Sequence, residues 1–414
     1  MRKRARARIL VVGLAAVPLF ITVSCGGVPA PTTAGAKAGE GQVQTDASGK
    51  VICKDGSPGV TGNTITFGAN EELTGKAALS GAIAKRSLDM VADDLNKAGG
   101  ILGKQVKIVY EDNQSTNPGA VNAMNKSLTQ DNIFALIGPI RSTQVQAMEQ
   151  TIKSKMVPMM VGGTDPNLTK DGAGEIVRFR PPDSLTGVAI ANYSQKQYMP
   201  KKIAILYDSD AFGSGGAAVV EKTATDAGIM VQQSSYTTGD KDFTAQLTTI
   251  KSYAPDVIVT YATNSEDVAI FARQIKELGI TTPVVGSPSI TSQVTFDLGK
   301  QFIQGYRAVV DFQLDSNPVN TAWAKEYEQR YGSKPDLFGA WQRDAMYFMK
   351  AALEKSGCDR GAFTKAMHEV QTDGVQGPLK SNALGDVNRN LIVVVVQGGG
   401  AKIIEDAAKL LPPP

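Results

Sequence analysis

Two stretches of the chain place glycines and hydroxyls where an anion could be held. One is Phe134-Ala135-Leu136-Ile137-Gly138-Pro139-Ile140-Arg141-Ser142-Thr143, and the other is Met159-Met160-Val161-Gly162-Gly163-Thr164 with Asp165 through Thr169 after it. In each, a short apolar run stops at small residues and a hydroxyl follows. The run reads as a buried parallel strand. Glycine lets a ligand approach the backbone, and the hydroxyl falls where a helix N-terminus leaves N–H groups free. The chemistry is hydrogen-bond donation to a small anionic group such as a carboxylate, with Ser142, Thr143, Gly162, Gly163 and Thr164 as candidate ligand residues. Capping alone would explain either turn. The two in succession point to one polar site at the carboxyl ends of strands.

Other chemistry finds no support. There is no phosphate-binding Gly-x-x-x-x-Gly-Lys loop, no Gly-x-Ser-x-Gly elbow and no dinucleotide fingerprint. The single histidine, His368, reads as a surface residue, which argues against a His-based triad. Without a CxxC, a His/Cys metal site is not expected either. Glu71-Glu72 and Glu111-Asp112 are read as solvated or cleft-rim pairs, since sequence neighbours rarely form an acid/base couple. No catalysis and no cofactor are expected.

The elements that must carry these turns alternate. Strands are predicted at Thr64–Ala69, Val106–Tyr110, Phe134–Ile137, Ile203–Tyr207, Met230–Gln233 and Val257–Val259. Between them lie helical patterns at 81–98, 120–129, 143–153 and 216–227, and apolar stripes Phe243, Leu247, Ile250 and Val268, Phe271, Ile275, Leu278. Such alternation predicts an α/β fold with parallel sheets. A chain of 414 residues is long enough for two domains or lobes. Lys107–Asp112 and Ile203–Asp208, each followed by glycine and a helix, echo each other and support two similar lobes.

The net charge of +3 is set by Arg2, Lys3, Arg4, Arg6 and Arg8; without them the balance turns slightly acidic, so no nucleic-acid partner is expected. Those cations precede the apolar stretch Ile9–Val23 and then Ser24-Cys25-Gly26-Gly27, an export signal over residues 1–24. A cysteine there resembles a bacterial lipoprotein cleavage site, with Thr22 where such sites usually carry Leu. Lipidation of Cys25 is the expectation, with ordinary secretion or an uncleaved anchor as alternatives. Residues 25–60, rich in small and polar residues, read as a flexible tether. Cys53 and Cys358 remain, and unpaired thiols are a liability outside the cell, so a disulfide is expected.

Ordered motifs then point to a family. They are Leu73-Thr74-Gly75, Asn96 through Ile101, Glu111-Asp112, Ile137-Gly138-Pro139, Gly163-Thr164, Phe179-Arg180, Tyr207-Asp208 with Phe212-Gly213, Ala254-Pro255-Asp256 and Asp344-Ala345. From about Thr64 to Ile404 the chain resembles the leucine/isoleucine/valine-type solute-binding proteins of ABC importers. The resemblance implies two similar Rossmann-like lobes of the periplasmic-binding-protein type I, or Venus-flytrap, form. Lobe 1 would span 61–180 and 314–373, and lobe 2 would span 181–313 and 374–410. Three segments would cross between them, near Arg178–Asp183, Asp311–Asn317 and Gly374–Asp386. It also implies that Ser142, Gly162 and Thr164 hold a carboxylate, that Phe212 closes over the ligand, and that Phe338 lines its side-chain pocket. Cys358 then follows a helix of the lobe that Cys53 precedes.

Departures from the family pattern bear on the ligand. Asn264 stands for a second lobe 2 aromatic, Arg343 for a tyrosine, and Gly286–Ser289 lacks the acid that would pair with a ligand ammonium. Asp165 or Glu71-Glu72 could supply that charge from lobe 1, but a rim carboxylate usually stays solvated, so the expected ligand is a small polar solute without a free α-ammonium, such as a carboxylate, amide or urea-like molecule, with leucine, isoleucine and valine binding poorly. Expected partners are ABC permease and ATPase subunits at the outer face of the cytoplasmic membrane. A sensor subunit of the same fold is the alternative, and an exported hydrolase the weakest reading.

Overall fold

The computed structural model describes residues 41–171 and 174–411. The export signal, Cys25 and the first part of the tether lie outside them. Strands β1 (Val60–Thr61), β2 (Thr64–Glu71), β3 (Gln105–Asp112), β4 (Leu136–Ile137), β5 (Met159–Val161) and β6 (Ile176–Arg178) form one sheet. Strands β7 (Lys202–Asp208), β8 (Met230–Tyr236), β9 (Val257–Tyr261), β10 (Val284–Gly286) and β11 (Arg307–Val310) form the parallel part of a second. A short hairpin pairs β12 (Gln371–Gly374) with β13 (Gly377–Lys380), and β14 (Ile392–Gln397) and β15 (Gly400–Asp406) add an antiparallel edge beside β11.

Both sheets have the same winding. In the first, β2 lies between β3 and β4, followed by β5 and β6. In the second, β7 lies between β8 and β9, followed by β10 and β11. Each lobe therefore reverses direction beside its first parallel strand, and a crevice opens there at the carboxyl ends. The order also corrects the expected echo. Ile203–Asp208 belongs to β7, whose counterpart is β2, whereas Lys107–Asp112 belongs to β3, whose counterpart is β8.

The inner strands β4, β5, β9 and β10 are buried along their whole length because helices cover both faces. Ile203 and Ile205 enter one core of lobe 2, and Ala204 and Leu206 enter the other. Leu136 and Ile137 divide in the same way in lobe 1. The helices are α1 (Ala78–Lys97), α2 (Asn117–Thr129), α3 (Ser142–Lys155), α4 (Asp183–Tyr198), α5 (Ala211–Asp226), α6 (Thr244–Tyr253), α7 (Ser265–Glu277), α8 (Gln293–Gly299), α9 (Pro318–Tyr331), α10 (Leu337–Ser356) and α11 (Arg360–Met367). Among the described residues, no helix is long and apolar enough to cross a membrane.

The chain passes from the first sheet to the second after β6, returns after β11, and crosses again before β14. These crossings are tied to one another. Arg180 pairs with Asp311 through Nε and Nη2 at 2.8 and 3.0 Å. Gln376 donates to the same carboxylate at 3.2 Å, and Asp344 of α10 accepts the Val375 and Gln376 N–H groups. Arg178, almost fully buried, pairs with Asp386 at 2.6 Å.

Two sequence expectations need correction here. The last part of the tether is docked: Gln44 donates its N–H to Ser356 and accepts from Cys358 N–H, Thr45 bridges Val51, and Cys53 is bonded to Cys358 with Cα atoms 4.8 Å apart. Its polar residues find partners at the end of α10, which composition alone does not reveal. His368 is half-buried, its ring nitrogens 2.9 Å from Ser381 Oγ and 3.3 Å from the Gly174 carbonyl, because Met367 and Ala366 draw its helix end into the core. The disulfide closes a loop of 305 residues. In the chain-entropy view, losing it in Cys358→Ser should lower stability by about 3–5 kcal/mol. Denaturant unfolding measures the loss, and thiol counting on unreduced protein that finds both Cys53 and Cys358 free would refute the bond.

Candidate functional site

The crevices of the two lobes face each other across a cavity lined from both. From lobe 1 come Glu72, which follows β2, Ala77 and Ser80 at the start of α1, Ile140 and Arg141 after β4, and Leu337 and Phe338 of α10. From lobe 2 come Phe212 after β7, Thr263 and Asn264 after β9, and Ser289 after β10; Arg180 stands at the crossing. The wall thus combines an apolar part with a few charged and hydrogen-bonding groups, the usual make-up of a small-molecule site.

Local structure explains how the charged groups reach it. Gly81 of α1 packs on the backbone after β2, where a Cβ would meet the Glu72 carbonyl oxygen at 2.0 Å. This close approach holds Glu72 against the cavity. Arg141 is the N-cap of α3 but makes no side-chain cap bond. Its side chain runs into the cavity instead, where Nε donates to Glu72 and Nη2 donates to Asn264 Oδ1 of lobe 2 at 3.1 Å. Asn264 in turn donates to the Lys76 carbonyl at 3.2 Å, a second bond between the lobes.

Of the predicted site residues, Phe212, Asn264 and Phe338 line the cavity, and Ser142, Thr143, Gly162, Gly163 and Thr164 are not among the lining residues. Ser142 Oγ accepts the N–H groups of Thr164 and Asp165, both at 3.1 Å, and Thr164 Oγ1 donates to Asp183 at 3.0 Å. Gly162 leaves room for Trp341, whose ring a Cβ would meet at 2.8 Å, and Gly163 faces Leu168 and Ser142. Ser142, Thr164 and the two glycines thus bind the turns to each other.

The carboxylate pairs are also placed differently from expectation. Glu71 and Glu72 are each 3% exposed rather than solvated at a rim. Burial pushes the Glu71 carboxyl well above its ordinary range, against a hydrogen bond from Gln342 at 2.7 Å. Glu111 is buried and pairs with Lys126, while Asp112 accepts the Leu73 and Thr74 N–H groups. Arg343 points away from the site, over the Tyr347 ring and paired with Asp344. Sequence reasoning misses Arg141, and it sets Glu72 aside, with Glu71, as a rim acid that stays solvated. The one available signal was an arginine at a helix start, where the helix dipole disfavours a cation and another force must hold it.

With this geometry in place, comparison with known proteins is decisive. The profile of the periplasmic binding protein family matches residues 64–401. The chain belongs to that family. It is similar to the Leu/Ile/Val-binding protein BraC3 of Rhizobium johnstonii, 28% identical over 325 residues that cover 78% of this chain and 86% of that one. Its fold is shared by the branched-chain amino acid substrate-binding protein LivJ of Streptococcus pneumoniae, solved with isoleucine (TM-score 0.76, 23% identity, covering 83% and 99% of the two chains). It is shared equally by an ABC-transporter solute-binding protein of R. palustris solved with benzoate (TM-score 0.77, 21% identity, 83% and 96%). This member of the periplasmic binding protein family places its cleft between two α/β lobes. Among the described residues no cluster of His, Cys, Asp or Glu is suited to hold a metal ion.

Asp183, at the start of α4, joins the lobes beneath the cleft: it accepts from Thr164 of lobe 1 and from the Tyr261 hydroxyl of lobe 2 at 2.8 Å. Burial pushes its carboxyl up to about 7, against these two hydrogen bonds and the charges of Arg178 and Arg180. A carboxyl that holds its proton more tightly folded than unfolded weakens the fold once ionised. Its destabilisation is absent below about pH 4 and grows as pH rises to about 7. Asp183→Asn should therefore melt higher than the wild type near pH 7, and the gap should shrink toward pH 4. Parallel melting curves across that range test this; a gap that stays constant or widens at low pH would refute it.

Proposed function

We propose that this protein captures a small polar solute between its lobes and delivers it to an ABC importer of the branched-chain amino acid type. The carrying observation is the cavity at the facing switch points of two like lobes, with walls drawn from both. A solute touching both walls stabilises the closed arrangement over an open one. The names of the relatives agree: BraC3 is a Leu/Ile/Val-binding protein, and the solved neighbours hold isoleucine and benzoate. In this reading the protein is a carrier without catalytic residues. Phe212, Asn264 and Phe338 contact the solute, and Ser142, Thr143, Gly162, Gly163 and Thr164 brace the wall from behind.

We place lobe 1 at 61–180 and 314–373, and lobe 2 at 181–313 and 374–410. Residues 1–24 direct export, and Cys25 carries lipid at the outer face of the cytoplasmic membrane. The tether that follows ends by Gln44, where docking to α10 begins. It gives the lobes reach toward a permease.

Two measurements test these statements. A bound solute should raise the melting temperature in a concentration-dependent way, equivalent to about 2.7 kcal/mol at a hundredfold excess over Kd. Phe212→Ala should weaken that binding about tenfold or more through lost contact with the solute; no shift with any amino acid or small carboxylate would refute solute capture. For the anchor, a fatty-acid analogue should label the wild type in cells and not Cys25→Ala. An unlabelled wild type would refute lipidation.

A further inference from the structure

The charges in the cavity wall specify more than a polar solute. Arg180 is neutralised by its two bonds to Asp311, and it belongs to the hinge. What remains is Glu72, 3% exposed, and Arg141, 7% exposed. Replacing such a buried ion pair by apolar residues is often neutral or stabilising, so its presence is not explained by stability. Nor is the pair saturated. Arg141 uses Nε on Glu72 and Nη2 on Asn264; Glu72 accepts at Oε1. Among the described residues no hydrogen bond reaches Arg141 Nη1 or Glu72 Oε2. Both residues line the cavity.

Charge balance decides what fits. The pair is neutral as it stands, and burial pushes the Glu71 carboxyl beside it well above its ordinary range. A solute bearing only a carboxylate would add a negative charge next to Glu72, with Asp208 and Asp210 of lobe 2 already in the field around Arg141. One bearing only an ammonium would meet Arg141. A solute with both adds no net charge and finds a partner for each, which avoids an uncompensated buried ion. Ala77, Ile140, Phe212, Leu337 and Phe338 leave an apolar remainder for its side chain.

We propose that Glu72 and Arg141 form a two-charge receptor on lobe 1 for a zwitterionic solute. Arg141 Nη1 takes the carboxylate, and Glu72 Oε2 takes the ammonium. Lobe 2 then contributes no charge to the ligand, only the polar and aromatic surface of Phe212, Thr263, Asn264 and Ser289. The proposal reverses the expectation of a solute without an ammonium. That expectation rested on an acid missing near Pro288 and on Glu72 being solvated, and the second premise fails in the fold.

The proposal rests on the solute-binding reading above, and its test separates the two. Ligand-stripped protein is screened by thermal shift against the twenty L-amino acids and benzoate. The best amino acid is then titrated by calorimetry beside its deaminated acid and its decarboxylated amine. At least one amino acid should bind, and each truncated analogue should bind about tenfold or more weakly. Glu72→Gln keeps an oxygen for Arg141 Nε and should weaken the amino acid about 10- to 150-fold. The same variant should leave the deaminated acid unchanged or tighter. Arg141→Met should weaken the amino acid and the deaminated acid alike. Circular dichroism melting checks that each variant is folded, and the wild-type ligand series stands without any variant. A deaminated acid that binds as tightly as its amino acid overturns the receptor. So does benzoate binding with no amino acid binding, which leaves solute capture intact. Binding of nothing in the screen overturns both.

Discussion

The buried pair of Arg180 with Asp311 is the constraint on which the two-lobed arrangement depends. Each residue sits on a different crossing segment, and Gln376 brings the third crossing to the same carboxylate. Two charges enclosed at full burial are tolerable only with good geometry and saturated hydrogen bonds, and the forked contact supplies both. The segments therefore cannot drift apart without exposing or orphaning a charge. Relative motion of the lobes is left to rotation about this point. Arg180 also forms part of the cavity wall, so the hinge and the ligand space share a residue.

The cleft follows from winding order. In each lobe the direction of the chain reverses beside the first parallel strand, and the loops after β2, β4, β7 and β9 splay apart there. Those four loops bring Glu72, Arg141, Phe212 and Asn264 to the cavity wall. The bonds from Arg141 to Asn264 and from Asn264 to the Lys76 carbonyl show the lobes held together by the same side chains that face the ligand space. Hydrogen bonding that closes the cleft and hydrogen bonding to a solute thus draw on the same few donors and acceptors. Solute affinity and lobe closure are coupled through them.

The turns after β4 and β5 show how a functional-looking pattern can have an internal use. Ser142 Oγ gathers the N–H groups of Thr164 and Asp165, and Thr164 reaches Asp183 at the base of α4. This ladder of hydroxyls runs from the lobe 1 turns into lobe 2, where Tyr261 completes it. It fixes the floor under the cavity and sets the angle at which Ile140 and Arg141 enter the wall.

Period and punctuation were enough to read the α/β class and the strands around Ile137, Val161, Ile205 and Val259, while the crossing segments were placed from the family resemblance. Those features are local: apolar runs, glycine stops and helical stripes carry them wherever the rest of the chain lies. The pairing of Cys53 with Cys358 was legible because only two thiols remained once Cys25 was set aside. Phe212, Asn264 and Phe338 came from ordered motifs, and they do reach the cavity wall. The pairing of Glu72 with Arg141 was not legible, because 68 residues separate them in the chain and burial alone brings them together. Glu71-Glu72 looked like a solvated pair since two adjacent acids repel in water, and only packing under α1 at Gly81 removes that water. Which hydroxyls face a ligand and which bind their own turn was likewise decided by tertiary structure. A hydroxyl forms either bond equally well, and the choice depends on where the neighbouring strand end lies.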